Sequence, residues 1–342
     1  MSETSTREKP LLVAVDDGYA QIKLIGDPVK AGEKINKKSI RSSVKYGAIG
    51  SLSGEGSTAT YIADDQKMTV TDKVAGESTQ FDGFHTSSMN RVLINHALVE
   101  AGYGGKKIRL YAGLPVGDFF RDSFKNVEFI EKKKENLLKA VQRHMGSMSM
   151  PNIVSVDIGC QAVAAFVDYY IPDSQKDTKR SPIEFDAIAV VDVGGRTTDI
   201  AVVLRSGEQI DHDRSGTKNI GVLNAHKTLT KLIQKEFDVV DEYSSEFLDR
   251  ALRTGKARIY GEEVDVSKLV GLAVQEPAQQ LTNMVREKLG SASNIDKVIF
   301  VGGGAALFRD HLQKLYPRNG FISDDPEFAN ARGLYKFASG AK

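Results

Sequence analysis

Cysteine is almost absent: the chain has 342 residues and one cysteine, Cys160. An intrachain disulfide is therefore excluded, and such cysteine usage points to a reducing compartment. A charge imbalance is absent as well. The 46 Lys and Arg stand against 45 Asp and Glu, a net charge of +1, so the chain as a whole does not grip nucleic acid or anionic lipid electrostatically. No apolar run approaches the ~18 residues of a membrane span; the longest, residues 187–191 and 162–167, have the length of buried strands or helix faces. The six histidines (85, 96, 144, 212, 226 and 311) lie at least 11 residues apart, so none forms the short pairs of a locally built zinc site. The opening MSETSTREKP is polar and charged, which fits a loose tail and neither a signal peptide nor an anchor. Together these absences predict a soluble, cytoplasmic protein with no membrane and no direct nucleic-acid partner.

What is present is a globular composition, 41% hydrophobic and 27% charged. At roughly 150 residues per domain, two units are expected, each with its own core. The 31 glycines have no three-residue period, which excludes a collagen-like fibre. Residues 11–15 read as an apolar strand, and 21–25 as its hairpin partner across the turn pair Asp17-Gly18. Residues 50–60 are small and polar, a surface loop. A helical stripe over 90–101 closes at Gly102. A strand over 107–114 ends at Pro115, and 118–144 reads as largely helical. Residues 153–156 are strand-like, and 161–170 form a nearly continuous apolar helix. The segment PDSQKDTKRSP, 172–182, is polar, bracketed by prolines, and marks the interior boundary.

The second half repeats the opening. Residues 187–191 are an apolar strand, 192–196 a turn, and 198–204 a second strand. Helices follow at 222–236, 244–253 and 267–289, then a buried strand at 297–301, three glycines and a helix from about 306. Alternating strands and helices argue for an α/β protein. Two strand–Asp–Gly-turn–strand units about 176 residues apart suggest an internal duplication.

Four segments can carry chemistry. In Val15-Asp16-Asp17-Gly18-Tyr19-Ala20-Gln21-Ile22-Lys23, a turn of small residues can offer backbone N–H groups to an anion, Asp16 can hold a metal's water shell, and Lys23 can reach a phosphate. Alone, it reads more readily as an ordinary Asp-Gly hairpin. In Val191-Asp192-Val193-Gly194-Gly195-Arg196-Thr197-Thr198-Asp199, an acid again ends a buried strand and the glycine pair admits a phosphate close to the backbone. The two hairpins in one context would clamp a polyphosphate from both sides. Gly302-Gly303-Gly304 after the 297–301 strand allow a base or ribose to lie flat on the main chain, or simply make a tight strand-to-helix turn. Gln161 heads the apolar helix, as a site residue or a cap. A Walker-type G-x-x-x-x-G-K-[ST], a G-x-G-x-x-G and a G-x-S-x-G are all missing. Cys160 lies in an apolar stretch and reads as a small core residue.

In order and spacing these pieces resemble the actin-like ATPase superfamily, which includes actin, the seventy-kilodalton heat-shock chaperones and the sugar kinases. Within it the chain looks most like the ParM (StbA) plasmid-segregation family: VDDG…IK, NRVLINHALVEAG followed by a strand and GLPV, DVGG…TDIA, VIFVGGGA and the ending FANARGLYKF all fit. The resemblance runs from about residue 11 to 338. It implies a duplicated, ribonuclease H-like α/β fold with two lobes around a nucleotide cleft. The tail would be 1–10, the first lobe 11–171, a linker loop 172–182, the second lobe 183–325, and a second connecting helix 326–342 returning to the first lobe.

By the same resemblance, ATP or ADP with Mg²⁺ would occupy the cleft. Asp16 would orient the waters of the metal; Gly18, Tyr19, Ala20 and Lys23 would contact the β- and γ-phosphates. Gly194, Gly195, Arg196 and Thr197 would form the opposing loop. Asp192 would position the attacking water, and also reach the metal through water, with Gln161 aligning the nucleophile. Gly302, Gly303 and Gly304 would line the adenosine pocket, with Gly221 near the ribose. Three residues depart from the family pattern. Gln161 stands where a ParM has glutamate and so cannot be a general base; Tyr19 replaces a small Ser, Thr or Gly; Arg196 replaces Gly or Thr. The implied function is an ATPase that forms dynamic filaments and segregates plasmid DNA through a DNA-bound adaptor. The alternatives are a sugar or small-molecule kinase of the same fold, or a cytoskeletal scaffold that segregates nothing.

Overall fold

Each half of the chain builds a sheet around one apolar strand. The structure is a computed structural model that describes residues 9–50, 59–144, 148–171, 185–207 and 209–340. In the first half Leu11–Asp17 is central, with Gln21–Gly26 antiparallel on one side and Lys107–Leu114 parallel on the other. Asn152–Cys160 and Asn36–Arg41 complete the five strands at the two edges. Val13, Ala14 and Val15 are all fully buried, so this strand lacks polar alternation because both faces of the sheet are covered.

The second half repeats the plan. Ala187–Val193 is central, Thr198–Leu204 is its antiparallel partner and Lys297–Val301 its parallel one. Gly320–Ile322 extends the parallel side, and the short strands Gln209–Ile210 and Gly216–Lys218 flank Thr198–Leu204. The duplication expected from the sequence is thus a duplication of sheet order.

Two helices join the halves. Gln161–Tyr170 leaves the first sheet directly, and Ala329–Ser339 comes back from the far end of the chain to pack on it. A Cβ at Gly333 would run into the Ala164 carbonyl, so the helices meet backbone to backbone. Ala14, Ala164 and Leu334 form a small cluster that seats the crossing on the first sheet. Arg332 Nη2 donates to Asp168 Oδ2 at 2.7 Å, tying the helices at their edge.

Outer parts complete each half. Val44–Tyr46, Ala59–Ala63, Gln66–Val70 and Gln142–Arg143 make a second, small sheet beside helix Ser88–Glu100. In the other half Val222–Phe237, Ser245–Thr254, Ser267–Leu289 and the Lys256–Ile259/Glu262–Asp265 hairpin enclose a separate apolar cluster. No helix among the described residues is long and apolar enough to cross a membrane.

Two sequence expectations need correction. The helix read over 118–144 is broken in two, residues 118–119 closing the short helix Val116–Phe119 and Val127–Leu138 forming the longer one. Asp122 and Ser123 adopt positive φ (51° and 66°), which breaks the helix and turns Phe120–Arg121 back onto Phe124–Lys125. The polar stretch 50–60 ends in a strand, because Thr60 Oγ1 lies 2.8 Å from Thr69 Oγ1 in a buried cross-strand pair. The loop expected over 172–182, most of the 50–60 loop and residues 1–8 of the expected tail lie outside the described residues.

Candidate nucleotide site between the two hairpins

The central strands of the two sheets end on acids that face one another across a crevice. Asp16 and Asp192 are both buried, at 3% and 5% exposure. Beyond them the hairpins turn at Gly18 and Gly194, where a Cβ would approach Gln21 O and Thr197 O respectively to 3.0 Å. The two turns also touch: a Cβ on Gly195 would lie 2.5 Å from the Ala20 methyl. Glycine is required there by the close approach itself.

Below the turns is a chamber of about 20 Å³ whose wall includes Asp16, Gln161, Asp192, Thr197, Asp199 and His85. That is room for roughly one water molecule. Gly18, Lys23, Gly194 and Gly195 also belong to the wall of a larger cavity of about 450 Å³. This volume falls within the range of small-molecule sites. Ala20, Arg41, Val222, Asp249, Gly303, Gly304 and Glu327 line its outer part. The arrangement is a one-water chamber opening onto a nucleotide-sized cleft.

Each acid is held by a partner from another element. Lys23 Nζ donates to Asp16 Oδ2 at 3.2 Å, and Gln161 Nε2 donates to Asp16 Oδ1 at 2.9 Å. Gln161 reaches this position because Gly113 leaves its space free; a Cβ there would sit 2.6 Å from Gln161 Cγ. Asn330 Nδ2, on the returning helix, donates to Asp192 Oδ2 at 2.7 Å. Asp199 accepts from the Val116 N–H (2.7 Å), Thr217 Oγ1 (2.5 Å) and Thr197 Oγ1 (3.1 Å).

Three buried carboxylates therefore share the floor with one ammonium. Burial, reinforced by Asp16, pushes Asp192 up to about 6 against the pull of Asn330 and Lys23. Burial and then Asp192 push Asp199 up to about 7, opposed by its three hydrogen bonds. Burial works against the Lys23 charge, but Asp16 and Asp192 outweigh it and hold the ammonium above its ordinary value. Surplus negative charge on oxygen ligands fits a hard divalent cation. Among the described residues no group of three or more His, Cys, Asp or Glu is placed to hold a metal directly, so a cation here would need ligands from water or phosphate.

The adjacent Asp17 points the other way, as strand alternation requires. It is fully buried and accepts from Lys133 Nζ (2.9 and 2.7 Å), Asn90 Nδ2 (2.8 Å) and His85 Nδ1 (3.1 Å). Burial opposes its ionisation, and Lys133 and His85 outweigh that and hold it below the usual carboxylate range. This cluster fixes the underside of the first hairpin.

The remaining residues singled out in the sequence have different placements. Gly302, at φ 86°, packs its Cα face on Asp192 and the Val193 carbonyl, and its N–H donates to Pro326 O at 2.8 Å. Gly303 faces open space in the larger cavity, and Gly304 packs on Val193 while also lining it. Gly221 lets helix Val222–Phe237 dock on the second turn: Leu223 N–H donates to Gly195 O at 2.9 Å. Tyr19 turns its ring inward onto Phe84 and His85, with centroids 5.0 and 4.8 Å away. Arg196 lies away from the chamber; it donates to Asp82 Oδ1 at 2.6 Å and stacks 5.2 Å from the Tyr19 ring centroid. The Cys160 thiol is buried and pushed up to about 12 by desolvation, which makes it inert.

Sequence reasoning gave no role to Asp199, Asn330, His85 or Lys133. Asp199 could have been found from the duplication, because it stands in the second hairpin where Lys23 stands in the first. The other three arrive from distant segments with no local signature.

Residues 11–168 match the family model for plasmid segregation protein ParM, N-terminal, and residues 190–314 the model for archaeal actin homologue MreB-like, C-terminal. An archaeal actin homolog of Thermoplasma volcanium is 26% identical over 335 residues, which is 94% of this chain and 97% of the relative. Among solved structures, the crystal structure of an archaeal actin homolog has a TM-score of 0.75 at 23% identity, covering 96% of this chain and 99% of that one. Its complex with ADP gives 0.74 at 22% identity, with the same coverage. A 15-stranded ParM filament from Clostridium botulinum gives 0.73 at 21% identity, over 97% of this chain and 100% of that one. With both halves matched in order, the chain has the actin-like fold end to end and resembles the actin-like ATPases, ParM-like over residues 11–168 and like the archaeal actin homologues over 190–314.

Proposed function

We propose that this protein binds ATP with Mg²⁺ in the cleft, hydrolyses the γ-phosphate bond, and assembles into filaments whose turnover follows hydrolysis. The observation that carries the reading is the meeting of two duplicated acidic hairpins over a one-water chamber that opens into a nucleotide-sized cavity. The Gly18–Ala20 turn and Lys23 would hold the β- and γ-phosphates from one side, and Gly194, Gly195 and Thr197 from the other. Gly303 and Gly304 would form the floor under the adenosine. When bound, Mg²⁺ would supply positive charge against the phosphates, with Asp16 and Asp192 holding its waters.

Catalysis in such a site is mostly positioning and charge stabilisation. Asp192 would accept a proton from the attacking water, and a carboxyl group near 6 is well matched to that work at neutral pH. Gln161 would align the water while holding Asp16 in place. Arg196, bound to Asp82 and Tyr19, would clamp the lobes rather than a phosphate.

Self-assembly is supported by the likeness to a ParM filament over nearly the whole chain. Plasmid segregation through a DNA-bound adaptor is the finer reading, supported by the ParM match of residues 11–168. The match of residues 190–314 to archaeal actin homologues favours a second reading, a filament without DNA cargo. High-speed pelleting with and without Mg-ATP, followed by electron microscopy of the pellet, tests the filament. No ATP-dependent pellet would refute it, and ATP consumption only on addition of a small-molecule acceptor would point to a kinase. Loss of a resident plasmid on deleting the gene separates segregation from the cargo-free filament.

A further inference from the structure

The two strand-end acids are held by side-chain amides from the two connecting helices, at corresponding places on each. Gln161 is the first residue of Gln161–Tyr170 and donates from Nε2 to Asp16 Oδ1 at 2.9 Å. Asn330 is the second residue of Ala329–Ser339 and donates from Nδ2 to Asp192 Oδ2 at 2.7 Å. Three residues further along each helix, at Ala164 and Gly333, the two backbones meet. Each amide therefore stands about one turn before the crossing, and the crossing fixes where the two amides lie relative to each other.

The returning helix is fastened to the first half, although Asp192 belongs to the second. Leu334 packs on Ala14, Tyr335 OH donates to Asp27 Oδ1 at 2.6 Å, and Lys336 Nζ donates to the Ile171 carbonyl at 2.7 Å. Asn330 thus carries the frame of the first half across to the acid of the second. It is 4% exposed. An ionised carboxylate only accepts hydrogen bonds, so the amide N–H faces Asp192. The amide oxygen is then left buried with no partner among the described residues. An unpaired buried acceptor is unfavourable, and an apolar side chain would fill the same space without one. Packing alone does not account for an amide here.

We propose that Asn330 is a positioning residue of the hydrolytic step, holding the Asp192 carboxylate in a fixed relation to Asp16 through the crossing of the connecting helices. The proposal rests on the reading of the cleft as an ATPase site with Asp192 as proton acceptor. In that step the water oxygen bonds to the γ-phosphorus and one water proton passes to Asp192. The bond from that phosphorus to the β,γ-bridging oxygen breaks, and its electron pair leaves on ADP. The acceptor must stay within hydrogen-bond reach of the water. A carboxylate tethered at Oδ2 cannot turn about its side-chain bonds, and that restraint is what Asn330 supplies. While both amide bonds hold, the crossing, and not the swing of the halves, sets the spacing of the two acids.

Two variants of the full chain separate this role from packing. Asn330→Leu keeps about the same volume and removes the amide; Asn330→Ala removes both and retains a helix-forming residue. For each, the melting temperature confirms a folded protein, and binding of a fluorescent ATP analogue with Mg²⁺ is set against single-turnover phosphate release. Both should bind within about twofold of the parent and release phosphate roughly 10- to 100-fold more slowly. The loss should be similar in the two, because the missing donor and not the missing volume causes it; if Leu is not accommodated at the crossing, Ala decides. Parent-like release in either folded variant, or a loss of binding as large as the loss of rate, would overturn the role of Asn330 and leave the ATPase reading standing. A parent that neither binds nor hydrolyses Mg-ATP would overturn that reading, and this inference with it.

Discussion

Lys23 and Asp199 occupy the same rung of the two duplicated hairpins. Lys23 is the cross-strand partner of Asp16, and Asp199 is the cross-strand partner of Asp192. One repeat thus neutralises its strand-end acid with its own ammonium at 3.2 Å, whereas the other places a second carboxylate behind it. Asp192, pushed up by its burial and then by Asp16, in turn raises Asp199, which must collect its donors from Val116, Thr197 and Thr217 instead. The asymmetry also gives the second hairpin the surplus charge that a bound cation would offset.

The first prediction concerns pH. Folding raises Asp199 to about 7 and Asp192 to about 6, both from 3.8. Between those limits the folded state binds more protons than the unfolded one, so stability is lost progressively as pH rises from about 4 to about 7 and levels off above. For Asp199 the loss is on the order of 4 kcal/mol. The melting temperature of the nucleotide-free protein should therefore fall from pH 5 to pH 8. Asp199→Asn should flatten that slope and raise the melting temperature at pH 8, since the Thr197 hydroxyl can turn to accept from the new amide. An unaltered slope in the variant would mean that Asp199 is ionised throughout.

Removing either strand-end acid should separate binding from chemistry. Asp192→Ala should still pellet with Mg-ATP but lose at least about 100-fold in phosphate release, the scale of a missing proton acceptor. Asp16→Ala should instead weaken Mg-ATP binding, because the residue's partners Lys23 and Gln161 lose their anchor together. Light scattering, phosphate assay and titration calorimetry read the three quantities. Unchanged hydrolysis without Asp192, or a parent-like dissociation constant without Asp16, would remove that residue from its role.

Much of the frame is legible where strong punctuation bounds an apolar run. The strand Lys107–Leu114 stops at Pro115, helix Ser267–Leu289 stops at Gly290, and the strands Thr198–Leu204 and Lys297–Val301 carry unbroken apolar runs at 200–204 and 298–301. The small sheet is not legible: its strands are short and partly polar, and its edge strand Gln142–Arg143 pairs with Ala59–Ala63 from far along the chain. At the site, the sequence marks the residues whose backbone makes the hairpins, because glycine and the strand-end acid are local requirements. It does not mark Asn330, which meets Asp192 across 138 positions, or Lys133, which reaches Asp17 across 116. Those contacts are fixed by how the connecting helices pack, which no short window contains.

The crossing of the two connecting helices offers a stability test remote from the chemistry. Gly333 is enclosed by Ala164, whose carbonyl a new Cβ would overlap. Neither backbone can yield without separating Leu334 from Ala14 beneath the crossing. Gly333→Ala should therefore destabilise by about 3 kcal/mol or more, despite alanine's better helix propensity. Thermal melting in the absence of nucleotide reads this directly, and a rise in melting temperature would show that the helices can part at little cost.

Arg196 should matter to exchange rather than to stability. It comes from the second hairpin, yet it is held by Asp82 and the Tyr19 ring of the first half. Lys227 with Gln80, and Arg41 with Asp249, bridge the same rim. Asp82 is 98% exposed, so its ion pair is screened and contributes well under about 1 kcal/mol to folding. Its place between the two halves is what counts: each crossing contact would have to break before the hairpins part to release a bound nucleotide. Arg196→Ala should leave the melting temperature within about 2 °C of the parent and speed release of a fluorescent ADP analogue several-fold, measured by stopped flow with excess unlabelled ADP. Equal release rates would mean that the remaining bridges hold the rim closed without it.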